Sequence, residues 1–427
     1  MGSQPRWHAG QQAPVTGTHP AYGEGDIAPA LTLCPVCVYH YRRYSPGHKQ
    51  GHAPQYTKFV KNSFLPPRYA LFLLSALLLL LTACLANERP VIVVTATPDS
   101  APTRVAAALA APAAPAPALN PLTGLLLPDP TVLNRRPLAV KISNAPDSVR
   151  PQAGLALADL VFEHYVEGGL TRFTAIYWTH TPPRLGSIRS ARLIDLELTA
   201  MYGAILVYSG ANEPIRQRIA ASAFATRAYE GVTVGAPLYF RDPAIEAPHN
   251  LFAVPAQVWA RAVADGVNDA PNLRALSFSA TPPAGGQPGG GVTVNYGPDE
   301  VRWVYDPASG LYTRYVDGRL HTDADTGAPI TAANVVVLYV PHRDDESIPV
   351  GEWNGVPIYS TEIQLWESGP ALIVRDGVAL TGYWMRWEQT APLTLWADEQ
   401  ATQSLPLKPG ITWFQIVPTD FTGVALQ

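Results

Sequence analysis

Leu160-Val161-Phe162-Glu163-His164-Tyr165-Val166-Glu167-Gly168-Gly169-Leu170-Thr171-Arg172-Phe173-Thr174-Ala175-Ile176-Tyr177-Trp178-Thr179 decides how the folded body is read. Residues 160–166 and 173–179 are rich in β-branched and aromatic side chains and predict two strands. Gly168-Gly169 predicts a tight turn between them rather than a phosphate loop, because the Lys and the spacing of a P-loop are missing. Alternation along the first strand sets His164 on the face opposite Glu163 and Tyr165. Outward from this hairpin, residues 138–143 and 204–208 read as two further strands. Residues 188–202, apolar at Ile188, Leu193, Leu196, Leu198 and Met201, read as a helix lying on their sheet. Residues 214–223 and 255–264 are expected to be helical as well. This order predicts a mixed α/β sheet with helices on one face.

A break follows at residues 281–291, where Pro282-Pro283-Ala284-Gly285-Gly286 and Gly289-Gly290-Gly291 interrupt regular structure. Beyond it, turn signals at Asp306-Pro307-Ala308-Ser309-Gly310, Asp317-Gly318 and Asp376-Gly377 separate expected strands at 301–305, 311–316, 335–340, 371–374 and 378–387. The expected fold class is therefore α+β: an N-terminal mixed α/β domain with a helix-covered sheet over 121–280, a Gly/Pro linker, and a mainly antiparallel β domain over 292–427.

The segment upstream carries an address. Lys58, Lys61 and Arg68 precede the apolar stretch 69–81, and Leu81-Thr82-Ala83-Cys84 closes it with small residues and a cysteine. Residues 58–84 thus read as a lipoprotein signal peptide with a lipobox, Cys84 being the lipidated residue, its acyl chains (a palmitate-type anchor) holding the protein on a membrane. The competing reading is an uncleaved anchor. A span needs about 20 apolar residues, and Ser75, Thr82 and Cys84 interrupt this run. Residues 1–57, rich in Gly, Pro and His, read as a disordered extension, with translation expected to start downstream of Met1. Cys34-Pro35-Val36-Cys37 has no second pair at zinc-ribbon spacing. Residues 85–120, ending in Ala111-Pro112-Ala113-Ala114-Pro115-Ala116-Pro117, form a Pro/Ala-rich tether.

From Cys84 onward the chain has 344 residues, no other cysteine, 23 Lys plus Arg and 32 Asp plus Glu. No internal disulfide can form there, and the net charge of −9 argues against nucleic acid as a partner. Lys141 and Lys408 are the two lysines of that portion.

Asn120-Pro121-Leu122-Thr123-Gly124, Arg136-Pro137-Leu138-Ala139-Val140, Arg150-Pro151-Gln152-Ala153-Gly154-Leu155 and Ala158-Asp159-Leu160-Val161-Phe162-Glu163 occur in an order that resembles YerB-type lipoproteins. So do Val166 to Phe173, Ile188-Arg189-Ser190-Ala191-Arg192, Pro248-His249-Asn250-Leu251, Tyr305-Asp306-Pro307 and Leu311-Tyr312-Thr313-Arg314-Tyr315. The resemblance covers about residues 120 to 420. It implies an envelope lipoprotein with an α/β part followed by a β part, and it implies no particular reaction.

The residues themselves single out an arginine cluster, Arg172, Arg184, Arg189 and Arg192, set against Asp159, Glu163 and Glu167. Arg189 and Arg192, three apart at an expected helix start, would share a face and grip a phosphate, pyrophosphate or carboxylate. The alternative is structural: the arginines neutralise Glu163, Glu167 and Asp195. His249-Asn250 is the histidine pair placed best for acid–base work, though such pairs also fix turns. Ser187 and Ser190 suit helix capping as well as nucleophilic attack. No metal or cofactor is expected, for a zinc site needs three convergent ligands.

Seven of ten tryptophans, Trp303, Trp353, Trp366, Trp384, Trp387, Trp396 and Trp413, lie in the β region. There they could fill its core or, where exposed, stack on sugars. The expected role is a lipid-anchored extracytoplasmic protein that binds or scaffolds at the membrane and cell wall, its partners the membrane and a wall polymer or envelope protein. The alternative is an enzyme of envelope polymer metabolism acting on a phosphorylated or pyrophosphate-linked substrate.

Overall fold

A computed structural model describes residues 118–427 apart from Ala275. The signal, the lipobox with Cys84, the Cys34/Cys37 pair and nearly all of the tether lie outside the described residues. Among the described residues no helix is long and apolar enough to cross a membrane.

The N-terminal half supplies β1 (Leu138–Ser143), β2 (Leu160–Tyr165), β3 (Thr171–Tyr177), α1 (Leu193–Met201), β4 (Ile205–Tyr208), α2 (Glu213–Ala220), β5 (Ala228–Glu230) and α3 (Pro255–Ala264). The β2–β3 hairpin forms as its sequence predicts, in register Glu163↔Phe173. Gly168 and Gly169 at its turn have φ of +76° and +72°, a conformation that favours glycine. The C-terminal half adds β6 (Gly291–Asn295), β7 (Glu300–Asp306), β8 (Leu311–Val316), β9 (Asn334–Val340), β10 (His342–Trp353), β11 (Val356–Ile363), β12 (Glu367–Arg375), β13 (Val378–Arg386) and β14 (Thr412–Pro418). The fold is α+β.

One eleven-stranded sheet runs through both halves in the order β13-β12-β9-β14-β2-β3-β1-β4-β5, with short edge segments added. Strand β14 is the seam: it pairs in parallel with β9 on one side (Val336↔Phe414) and with β2 on the other (Phe414↔Phe162). Thr412 to Val417 are buried throughout, as a central strand covered on both faces must be. Gln287–Pro288, inside the Gly/Pro break, adds an edge to the same sheet through Gln287↔Ala379.

The faces are covered differently from the one-sided expectation. Leu193, Ile194 and Leu198 of α1 and Ile215 of α2 pack with Ala139, Phe162 and Ile176 on one face. On the other face, Val140, Ile142 and Phe173 meet both α3, through Val258 and Trp259, and a six-stranded antiparallel sheet containing β6, β7 and β8. Trp413 joins the two sheets, its ring 5.3 Å from Phe173 and 5.1 Å from Trp303, both edge-on. Helix α3 has an apolar stripe of its own, and the free side of the sheet offers it the same burial.

The helix expected over 188–202 begins only at Leu193. Residues 188–192 are extended because their amides are taken by neighbouring chains: Ile188 N–H donates to Leu251, Arg189 to Lys141 and Ala191 to Gly210. The helix starts where Asp195 Oδ2 accepts the Arg192 N–H at 2.6 Å. Neither Ser187 nor Ser190 caps it.

Candidate functional site

Charge in the middle of an apolar strand demands a partner, and Lys141 in β1 has several. Its wholly buried Nζ lies 3.0 Å from Asp195, 3.1 Å from Thr174 Oγ1 and 2.7 Å from His164 Nε2. Thr174 Oγ1 in turn donates to Asp195 at 2.6 Å. Since the lysine donates to Nε2, His164 is the neutral tautomer that donates from Nδ1 to the Tyr165 carbonyl at 2.9 Å. Burial pushes the lysine down to about 8, against the pull of Asp195. Burial and the adjacent lysine hold His164 well below its ordinary range. These groups form the floor beneath the arginines.

Above that floor, at the ends of β1 and β4 and the start of α1, the structure brings together Arg172, Arg189 and Arg192. Arg192 Nε bonds Glu167 Oε2 at 2.6 Å, and Ser360 Oγ of β11 donates to the other oxygen of Glu167 at 3.2 Å. Arg172 Nη1 donates to the Ser190 carbonyl at 2.9 Å. Neither Arg172 nor Arg189 has an acid within ion-pair distance among the described residues. Burial, then the charges of Arg192 and Arg189, lower Arg172 to about 9. Arg189 is lowered by burial and by Arg192. Among the described residues, three guanidinium groups thus share one directly paired carboxylate, and Arg189 Nε is buried without a hydrogen-bond partner. Ser187 Oγ, Asn212 Nδ2 and His249 Nδ1 are likewise buried without partners. Ser187 is two residues from Arg189, and Asn212 follows the Gly210 carbonyl that receives Ala191. Burial and the charge of Arg189 lower His249 below its usual value, which leaves it neutral at pH 7.

The remaining members of the expected cluster are elsewhere engaged. Arg184 pairs with Asp242 (3.1 Å) and Asp325 (2.9 Å) and stacks over Phe252. Asp159 accepts from Asn120 (2.8 Å) and from the Trp178 and Thr179 amides. Glu163 faces the other side of the sheet, where Arg314 donates to it at 2.8 Å and Asn144 and Thr171 at 3.1 Å each. Alternation decides this separation: Glu163 and His164 are neighbours in sequence and lie on opposite faces. Asn250 accepts from Arg241 at 2.7 Å. Of the three acids set against the arginines, Glu167 alone contacts one of them. Arg189 and Arg192 lie on the extended segment before α1 rather than along a helix face.

Sequence reasoning passed over Lys141 as a site residue, together with Thr174, Arg314, His321 and Gln152. Arg314 Nη1 donates to His321 Nδ1 at 2.7 Å, and His321 Nε2 reaches Gln152 Oε1 at 2.6 Å. The signal for Lys141 and Arg314 was a lone cation inside an expected strand. Of the β-region tryptophans, Trp303, Trp384 and Trp413 are core, while Trp366 and Trp387 are exposed.

Two family models match the chain: the protein of unknown function (DUF3048) N-terminal domain over residues 122–268 and the DUF3048 C-terminal domain over 292–414. The chain is 28% identical over 303 residues to the candidate lipoprotein YerB of Bacillus subtilis (strain 168), covering 70% of this chain and 86% of that one. It is also similar to the crystal structure of the YerB protein from Bacillus subtilis. There the TM-score is 0.62 and the identity 27%, over 73% of this chain and 99% of that one.

Proposed function

We propose, from the premise that the chain belongs to the DUF3048 family through both of its folded halves, that it is a lipid-anchored binding protein of the bacterial envelope that grips an anionic group at Arg172, Arg189 and Arg192. The observation that carries this reading is the unpaired charge: folding would stabilise these arginines best with one acid each, and among the described residues Arg172 and Arg189 have none within ion-pair distance. Repulsion that folding tolerates is relieved when an anion enters, so the binding energy is stored in the site. The Arg189 Nε, buried without a partner among the described residues, supplies a hydrogen-bond donor to the same anion. Support for the anchor comes from the lipobox pattern at Cys84 and from the lipoprotein description of the relative, and an anchor of that kind is in keeping with a site on the outer face of the cell membrane.

Titration of the protein with inorganic phosphate and pyrophosphate by calorimetry tests the reading. Binding is expected to weaken with ionic strength and to be lost in Arg189→Gln without a fall in melting temperature. Equal affinity in the wild type and in Arg189→Gln, or none in either, refutes it.

A second reading, an enzyme acting on a phosphorylated envelope substrate, draws on neutral His249 beside Arg189, whose free Nδ1 could accept a proton. Turnover of a phosphodiester or pyrophosphate that disappears in His249→Gln would favour it.

A further inference from the structure

Trp366 is 37% exposed, whereas Trp303, Trp384 and Trp413 of the same half are core. One face of its ring is covered by the Arg386 guanidinium, whose carbon stands 4.1 Å from the ring centroid. Arg386 is itself fixed by bonds to Glu197 (2.8 Å), the Leu365 carbonyl (2.9 Å) and the Gln389 carbonyl (2.7 Å). The indole is therefore held as a rigid plate. It lines a cavity of about 160 Å³ together with Leu193 and Leu196 of α1, with Glu197, Glu362 and Gln364, and with Arg218, which is paired to Asp345 at 2.6 Å. Gln364 donates to Glu362 Oε2 at 3.0 Å. Among the described residues, Glu362 Oε1 and the side-chain Oε1 of Gln364 have no protein partner.

A flat apolar plate beside carboxylate and amide acceptors fits a ring with an apolar face and a rim of hydroxyls. Glu197 is paired with Arg386 and Arg218 with Asp345, which leaves Glu362 as the lining charge without an ion-pair partner among the described residues and disfavours an anion there. The cavity also adjoins the arginine site: Arg192 precedes Leu193 of its wall, and Ser360, which holds Glu167, lies on β11 two residues from Glu362.

We infer that this cavity is a saccharide subsite, holding one sugar ring against Trp366 while the anionic group of the same glycan lies on Arg172, Arg189 and Arg192. The placement of the charged group rests on the anion-binding reading; the ring subsite stands on Trp366 and its neighbours. Phosphate and carboxylate glycans share this chemistry.

The experiment titrates the full chain in detergent micelles with inorganic phosphate and with a short oligosaccharide of N-acetylated amino sugars. The oligosaccharide is used neutral, phosphorylated and carboxylated. The phosphorylated or carboxylated form is expected to bind on the order of tenfold more tightly than phosphate alone. Trp366→Ala should erase that gain and leave phosphate affinity unchanged, with Trp366→Phe retaining part of it. Whichever charged form gains more identifies the source. If phosphate binds and the charged oligosaccharides gain nothing, or their gain survives in Trp366→Ala, the sugar subsite is overturned and the anion site stands. If the neutral oligosaccharide binds through Trp366 and phosphate does not bind, the subsite stands and the anion reading falls.

Discussion

Arg314 and Glu163, 151 residues apart and both wholly buried, meet at 2.8 Å between the two sheets. The guanidinium is also ringed by Phe173, Trp303 and Trp413, at 5.3, 5.9 and 5.1 Å from their centroids. Each partner comes from a different half of the chain, so the pair couples their folding.

Arg314→Met should therefore destabilise the whole body, not the C-terminal half alone. Removing one side of a buried pair costs about 3 to 5 kcal/mol. Denaturant unfolding followed by tryptophan fluorescence should show one transition at a lower midpoint, and an unchanged midpoint would count against the coupling.

Acid should weaken the fold through His321 and His164. Burial, reinforced by Arg314 at His321 and by Lys141 at His164, places both well below the ordinary value of 6.5. The unfolded chain takes up protons there that the folded chain refuses. The contribution is thus complete above about pH 6.5 and is lost as pH falls, with a slope of up to about 1.4 kcal/mol per pH unit for each imidazole. Denaturant midpoints measured across this range should lose one imidazole's share of the slope in His321→Gln.

Arg192→Ala and Arg189→Ala should part company in stability. The first leaves Glu167 nearly buried with Ser360 as its remaining hydrogen-bond partner among the described residues and should cost about 1 to 3 kcal/mol. The second removes a cation from among cations and should be neutral or slightly stabilising. Calorimetric melting of both variants checks this, and equal losses would mean that Arg189 has a structural duty.

Cys84→Ser should abolish incorporation of labelled fatty acid and release the protein from membranes or leave it unprocessed. Label retained at the same mature mass would exclude the lipobox.

Local pattern determined much of this protein. The strands over 138–143 and 311–316 and the helix over 255–264 stand where β-branched runs, Asp-Gly turns and a proline at a helix start put them, because each depends on neighbours a few residues away. The expected lipobox is also a local pattern, read in line. The arginine site was half legible. Arg172, Arg189, Arg192 and Glu167 were visible as residue types, but Arg184, Asp159 and Glu163 carried the same types and went to other partners. Strand β14 was missed altogether, since its value to the fold lies in pairing with β2, some 250 residues earlier. Only the tertiary structure could decide which buried cation meets which acid, because that depends on the face each strand presents and on a sheet assembled from both ends of the chain. The same assembly leaves Arg172 and Arg189 without an acid at ion-pair distance among the described residues, a surplus that composition could not reveal.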